Sequence, residues 1–272
     1  MADIVLDLPV VTAVRRPRRL RVHLTRLALV VAWLGSWELA STYWIDPFFY
    51  SKPTAIWHKL VVWFTDGTSA GSVWTQISVT LQEAVWGFAL GAVAGVVMGV
   101  LLGRARFLAE VLAPFIKAAN AIPRIVLASL FVIWFGLGMS SKIATAFVLV
   151  FFGVFFNAFQ GAREVSKVVD DNARILGASR SQLLLTVVLP SATSWILASL
   201  HTAFGFALIG AIVGEYAGAD KGLGLLISQA QGTFDAPGIY AAMIITTVLA
   251  LGAESVLTVV ERRLTRWQSR TH

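Results

Sequence analysis

The sequence has no cysteine and little charge. Without cysteine, disulfides, thiolate nucleophiles and cysteine metal sites are all excluded. Charged residues make up 14% of the 272 residues and hydrophobic residues 57%, whereas soluble domains carry about 25% charge. So few polar residues could not cover the surface of a soluble core, and the composition therefore indicates a membrane protein.

Motifs that would indicate catalysis, metal binding or nucleotide binding are also scarce. The four histidines, His23, His58, His201 and His272, have no metal-ligand spacing. No GxxxxGK[ST] phosphate loop occurs. We therefore expect no catalytic residues, no metal and no cofactor in this chain, and we expect it not to be an enzyme.

Long apolar runs predict an all-α membrane protein with six transmembrane helices, since about 20 apolar residues cross a bilayer. The predicted spans are residues 27–45, 77–102, 115–137, 143–162, 192–214 and 237–260. A polar tail, residues 1–26, precedes this membrane domain of residues 27–267, and a short tail, residues 268–272, follows it. Within residues 46–76 we expect an amphipathic helix that begins at Pro53 and lies on the membrane.

The basic residues set the orientation. The net charge is +7, and 17 of the 22 Lys and Arg residues lie in residues 1–26, 103–117, 163–190 and 261–272. By the positive-inside rule, these four segments, and hence both termini, are cytoplasmic. The positive charge is then explained by topology, with the lipid bilayer as the partner, and gives no support for nucleic-acid binding.

The second span carries a glycine at every fourth position. On a helix, these residues form a continuous groove into which a neighbouring backbone can pack closely. The groove consists of Gly87, Gly91, Gly95, Gly99 and Gly103.

The third span contains Pro123 and Arg124. The proline should kink this helix. Arg124 has two interpretations: its side chain extends to the lipid headgroups, or its charge faces a path for anions. The acids of other spans remain open in the same way, and Glu38 could pair locally.

Residues 170–190, DDNARILGASRSQLLLTVVLP, form a charged interruption between apolar runs. The pattern predicts two short helices hinged at Gly177, the second ending at Pro190. Such an element is either a docking site for another protein or an ordinary solvated loop.

This segment resembles the EAA loop of binding-protein-dependent ABC importer permeases, whose pattern is E-A-A, three residues, G, nine residues, then I-x-L-P. Asp171-Asn172-Ala173 takes the place of E-A-A, Gly177 that of the glycine, and Val187 to Pro190 that of the closing motif. Three further stretches resemble the sulfonate, taurine and nitrate branch: AIPRIVLASLFVIWFGLGMSSKI (121–143), GEYAGADKGLGLLI (214–227) and VERRLTRW (260–267).

The resemblance implies a type I ABC importer-like fold, with an importer core of about residues 75–267 and a cytoplasmic coupling loop, residues 163–190. It implies a homodimer in the bacterial inner membrane, served by two cytoplasmic ATP-binding subunits, which bind ATP and Mg, and by a periplasmic binding protein. The solute would be a small anion such as a sulfonate, taurine or nitrate. The expected coupling residues are Asp171, Asn172, Ala173, Gly177, Ala178, Leu189 and Pro190. The candidate path residues are Asn120, Arg124, Asn157, His201 and Glu215.

The alternative is a secondary transporter or channel that works without ATP. Intramembrane Glu and His residues would suit proton coupling. The two halves of the sequence, however, show no clear internal symmetry of the kind found in many such carriers.

Overall fold

The structure, a computed structural model, describes residues 17–165 and 167–264, and nearly all of them are helical. The predicted tail residues 1–16 and 265–272 lie outside this range. The helices are α1 (Pro17–Tyr43), α2 (Pro47–Tyr50), α3 (Pro53–Thr65), α4 (Val73–Arg104), α5 (Arg106–Ala121), α6 (Arg124–Phe135), α7 (Met139–Arg163), α8 (Lys167–Ile175), α9 (Arg180–Leu183), α10 (Leu189–Ala217), α11 (Leu223–Gly232) and α12 (Ala236–Leu264). The all-α prediction is confirmed.

The chain divides into two compact units, residues 1–55 and 56–272. In the first, α1 leads to the short helix α2, whose N-terminus is capped by Asp46. The carboxylate of Glu38 accepts the backbone N–H of Thr54 at 3.0 Å and its hydroxyl at 2.8 Å. Glu38 therefore pairs locally, by satisfying the free amide at the start of α3.

Among the described residues, four helices are long and apolar enough to cross a membrane: α4, α7, the continuous helical segment Ser181–Ala217, and α12. The bent pair of α5 and α6 is long and apolar enough when its two helices are taken together, and it makes a fifth span if the two cross as one. The predicted spans two to six therefore each coincide with a helix or helix pair. The first predicted span coincides with α1, which has 27 residues but does not belong to this apolar group.

The third span is broken more sharply than a kink. Its two parts, Phe107–Ala121 and Arg124–Phe135, meet at 87°. Ile122 and Pro123 are both extended, with ψ of 128° and 125°. The proline has no N–H to donate and disfavours helical geometry in the preceding residue, which explains why the break falls here.

The core of the second unit is the contact of α4 with α7. All five glycines of the α4 groove face α7, where a β-carbon would press against backbone atoms. A β-carbon on Gly99 would lie 2.6 Å from the carbonyl oxygen of Phe155, and one on Gly91 would lie 2.8 Å from that of Phe147. The groove is therefore confirmed as a packing surface, and its partner is α7.

Helix α10 packs on the same α7 from another side. A β-carbon on Gly210 would lie 2.5 Å from the Cα of Ala146. Buried small and aliphatic residues of α4, α7 and α10 form one cluster: Ala84, Ala92, Val150, Val154, Ala203, Ala207, Leu208 and Ala211. Helices α4 and α10 thus both pack tightly against α7, and the three helices form one layer.

This packing gives a testable pair of substitutions. Gly99→Ala should lower thermal stability in detergent, because overpacking of a filled contact costs about 1–3 kcal/mol. The control is Gly252→Ala in α12, where nothing lies within 4 Å of the added β-carbon. It should leave stability unchanged or raise it, because alanine favours a helix by about 0.5–1 kcal/mol over glycine. Equal melting temperatures for the two variants would contradict the groove contact.

Candidate functional sites

The predicted coupling loop folds as two short helices separated at Gly177. Helix α8 ends at Ile175, and the amide of Ala178 returns to the carbonyl of Ala173 at 3.0 Å. Gly177 has φ +83°, in the left-handed region that favours glycine. Nothing lies within 4 Å of a β-carbon placed there, so the requirement is one of backbone conformation. The predicted hinge is therefore present.

The second helix begins with a reciprocal capping box. The amide of Gln182 donates to the hydroxyl of Ser179 at 3.2 Å, and the amide of Ser179 donates to the side-chain oxygen of Gln182 at 2.8 Å. Each side chain thus satisfies an amide that the helix itself leaves free. This fixes where the chain re-enters helix after the hinge.

The prediction that this helix ends at Pro190 is wrong. A π-helical turn, Leu184–Val188, joins α9 to α10, so the segment Ser181–Ala217 is continuous. The amide of Leu189 donates to the carbonyl of Leu184, five residues back. Pro190 follows directly in the first turn of α10, where the altered hydrogen-bond spacing tolerates a residue that lacks an N–H.

The loop exposes several large apolar side chains. Ile175 and Leu176 beside the hinge are 82% and 87% exposed, and Val168 on α8 is 67% exposed. Asp171 and Asn172 are exposed on the same short helix, while Ala173 and Ala178 are half-buried. An ordinary solvated loop has no reason to expose such a ridge, which is typical of a docking surface.

Two of the candidate path residues meet at the α5–α6 break. Arg124 donates from Nη1 to the carbonyl oxygens of Asn120 and Ile122, at 2.6 and 3.0 Å. It also donates from Nη2 to Oδ1 of Asn120 at 2.8 Å. The guanidinium carbon lies 5.7 Å from the ring centroid of Phe152. Arg124 thus folds back onto the C-terminus of α5, where a cation stabilises the free carbonyls.

The next two candidates lie on different helices. Asn157 donates to the carbonyl of Gly153 within α7, at 2.8 Å. His201 on α10 lies 3.6 Å from the carboxylate of Glu254 on α12, and both side chains are partly exposed. The described contacts therefore join neither residue to the pair at the α5–α6 break.

Glu215 is placed elsewhere. It has no exposed surface and lies among side chains of α4, α7 and α11. Its carboxylate accepts the hydroxyl of Thr80 and the amide of Gly224, both at 2.6 Å. This environment gives no support to a role in lining the path, and we assign Glu215 to a buried polar lock instead.

The polar lock is a set of buried side chains from three helices around the N-terminus of α11. Its members are Gln76, Thr80 and Glu83 of α4, Lys142 of α7, and Glu215 of α10. Each of them is at most 1% exposed. The sequence reasoning missed Gln76, Thr80 and Lys142. One available signal was the spacing of Gln76, Thr80 and Glu83, which puts three polar residues on one face of an apolar helix.

Several known proteins are similar to this chain. The family model for the binding-protein-dependent transport system inner membrane component matches residues 91–266. The riboflavin transport system permease protein of Chloroflexus aurantiacus is 32% identical, over 76% of this chain and 77% of its own length. The taurine transport system permease protein of Escherichia coli is 28% identical, over 89% of this chain and 88% of its own length.

A third relative is the formylaminopyrimidine transport permease protein of Halalkalibacterium halodurans, 29% identical over 86% of this chain and 92% of its own length. Among solved structures, a methionine ABC transporter in an inward-facing conformation superposes with a TM-score of 0.57 at 19% identity. That match covers 73% of this chain and 94% of the other, which shows a shared fold. The chain therefore belongs to the family of inner membrane components of binding-protein-dependent transport systems, the permease subunits of ABC importers.

Proposed function

We propose that two copies of this chain form a homodimeric permease that imports a small organic or inorganic anion, such as a sulfonate, taurine or nitrate. Two cytoplasmic ATPase subunits bind ATP and Mg and drive the cycle, and a periplasmic binding protein delivers the solute. The permease alternates between inward-open and outward-open states. ATP and the loaded binding protein must then favour a different state from the resting one, because a ligand shifts only equilibria to which it binds unequally.

The coupling loop supports the assignment of the energy input. One chain supplies one loop, so two ATPase subunits require two permease copies. The exposed apolar ridge of Ile175, Leu176 and Val168 is what a groove on a partner protein would cover. The distribution of basic residues places this loop in the cytoplasm together with both termini. Asp171, Asn172, Leu189 and Pro190 complete the loop that we assign to coupling.

In this orientation, the opposite face carries residues 46–76 and 215–236. We propose that the binding protein docks there. The face is built from α3, the turn before α4, and α11, and it is held together by polar contacts. One of them is the ion pair of Lys59 with Asp235, at 2.5 Å. A docked protein would thus meet a defined surface and not loose chain.

The observation that carries the anion assignment is Arg124 in the α5–α6 break. Among the described residues, oxygens of Asn120 and Ile122 accept three hydrogen bonds from the guanidinium of Arg124. A guanidinium has five N–H donors and is always protonated, so two donors remain for an anionic group. Asn120 fixes the orientation of the guanidinium, and Asn157 and His201 remain further candidates for the path.

The names of the relatives cover several classes of solute and do not identify one class for this chain. Their names include taurine and aliphatic sulfonates, and also riboflavin and formylaminopyrimidine. A fixed positive charge at a break in a membrane helix favours the sulfonate-type compounds over the uncharged ones, because an intramembrane cation that faces a path needs an anion to offset its desolvation.

The hinge gives the first test of this function. Gly177→Leu should abolish solute uptake and ATPase association while membrane insertion stays intact, because leucine in the left-handed region costs roughly 1–2 kcal/mol. Gly177→Asn is the matched control, since asparagine tolerates this conformation. Uptake and co-purification of the ATPase are measured for both variants. Full uptake by the leucine variant would reject the coupling role of the loop.

Arg124 gives the second test. Arg124→Met keeps an unbranched apolar stem and removes the charge. It should lower taurine or nitrate uptake by proteoliposomes roughly tenfold or more, because hydrogen bonds to charged groups contribute about 1.5–3 kcal/mol. Arg124→Lys should retain part of the uptake. Arg26→Met, at an exposed arginine outside the predicted spans and outside the segments assigned to docking and coupling, is the control and should leave uptake unchanged.

Thermal stability of the Arg124 variants is measured in parallel, since the side chain also binds the end of α5. Uptake kinetics equal to those of the unsubstituted protein would refute the anion role. A loss of uptake that follows only the loss of stability, equal for Arg124→Met and Arg124→Lys, would also count against it.

A further inference from the structure

The polar lock holds the first amides of α11 with side chains from other helices. The amide of Gly222 donates to the side-chain oxygen of Gln76 at 2.7 Å, and that of Leu223 to the hydroxyl of Thr80 at 2.9 Å. The amide of Gly224 donates to Glu215. The first turn of a helix leaves such amides without partners inside the helix. Here α4 and α10 supply the acceptors, so the start of α11 is fixed to both.

Two glycines make this contact possible. Gly222 has φ +119°, and a β-carbon there would collide with the carboxylate of Glu215. A β-carbon on Gly224 would lie 2.7 Å from the β-carbon of Glu215. In the motif Lys221-Gly222-Leu223-Gly224, the two glycines thus allow the start of α11 to approach α10 closely.

Buried polar groups make the lock a specific arrangement. Lys142 has no exposed surface and donates to the carbonyl of Leu137 at 2.6 Å. The carboxyl groups of Glu83, Glu215 and Asp220 act on it electrostatically. A buried polar group that loses its hydrogen-bond partner is unfavourable, so a shift of α11 away from α4 and α10 would carry a cost at each of these bonds. The network therefore favours one relative position of these helices.

The far end of α11 is also tied down. Gln229 accepts the hydroxyl of Ser69 at 2.7 Å, and Gln231 accepts that of Tyr216. Asp235, which follows α11, caps α12 and pairs with Lys59 of α3. Along its whole length, α11 is therefore attached to its neighbours by polar contacts.

We propose that Gln76, Thr80 and Glu215 are positioning residues that lock α11 to α4, α7 and α10. These four helices then move as one rigid body during transport, and the surface that meets the binding protein keeps its shape through the cycle. The inference rests on the proposed function in taking α11 as part of the docking face. The relative motion of alternating access must occur at other contacts.

The natural absence of cysteine allows a direct test. Ser78→Cys on α4 and Lys221→Cys before α11 are both exposed positions for spin labels. Labelled chains are diluted with unlabelled ones, so that only distances within one chain count. In the complex with its ATPase subunits, we expect one narrow distance that is the same without nucleotide and with trapped ATP. A change of about one helical turn, roughly 5 Å, would overturn the rigid-body proposal.

Thr80→Val tests the positioning role. The change keeps the shape of the side chain and removes the hydroxyl that joins α11 to Glu215. Thr145→Val on α7 is the matched control, because Thr145 is as deeply buried and its hydroxyl bonds only within its own helix. The spin-label distance should broaden in Thr80→Val and stay narrow in Thr145→Val. Equal distributions in the two variants would overturn the role of Thr80.

A functional readout separates positioning from simple stability. In Thr80→Val, the binding-protein concentration for half-maximal stimulation of ATP hydrolysis should rise roughly threefold or more, with basal hydrolysis unchanged. Unchanged stimulation would overturn the proposal. A complex that fails to assemble in the unsubstituted protein would instead refute the proposed function, and the nucleotide-free distances would still decide the lock. Gln76→Met, which removes a different acceptor, repeats the test if Thr80→Val does not fold.

Discussion

The close approach of α4 to α7 is the contact on which the rest of the structure depends. In a membrane, lipid tails are as apolar as leucine, so helices gain little from hiding apolar surface and associate through tight packing. A glycine at every fourth position of α4 allows this packing along most of the helix. Helix α10 then joins α7 through Gly210, and the three helices form one packed layer.

This layer joins the two ends mechanically. Helix α7 ends at Arg163, just before the coupling loop, and the segment after the hinge is continuous through the π turn into α10. A force on the loop would therefore act on α7 and α10, which both belong to the packed layer. At the opposite end, the same helices contribute Lys142 and Glu215 to the polar lock. Helices α7 and α10, which adjoin the loop at one end, thus also contribute side chains to the lock at the other.

The sequence predicted the positions of the helices better than it predicted which helices contact one another. Periodic glycine indicated a groove, but only the structure identifies α7 as its partner, because many apolar faces would fit. Pro123 predicted a bend, but not an angle of 87°. Pro190 was expected to end a helix, and the π turn, a tertiary adjustment with no signal in residue type, overrides that expectation. Glu215 was expected in the path, and its burial could not be predicted because it depends on Thr80, which is 135 residues away in the sequence.

Charge within a membrane span does not by itself indicate a path. Glu215 and Arg124 satisfy the same sequence criterion, an ionisable residue between apolar neighbours. The structure separates them by their partners: Glu215 is enclosed by donors from α4 and α11, whereas Arg124 lies half-buried at a helix break. A charge whose bonding capacity is filled within the protein stabilises one conformation, and a charge with donors left over can bind a solute. This is the physical reason for assigning the lock to Glu215 and the anion to Arg124.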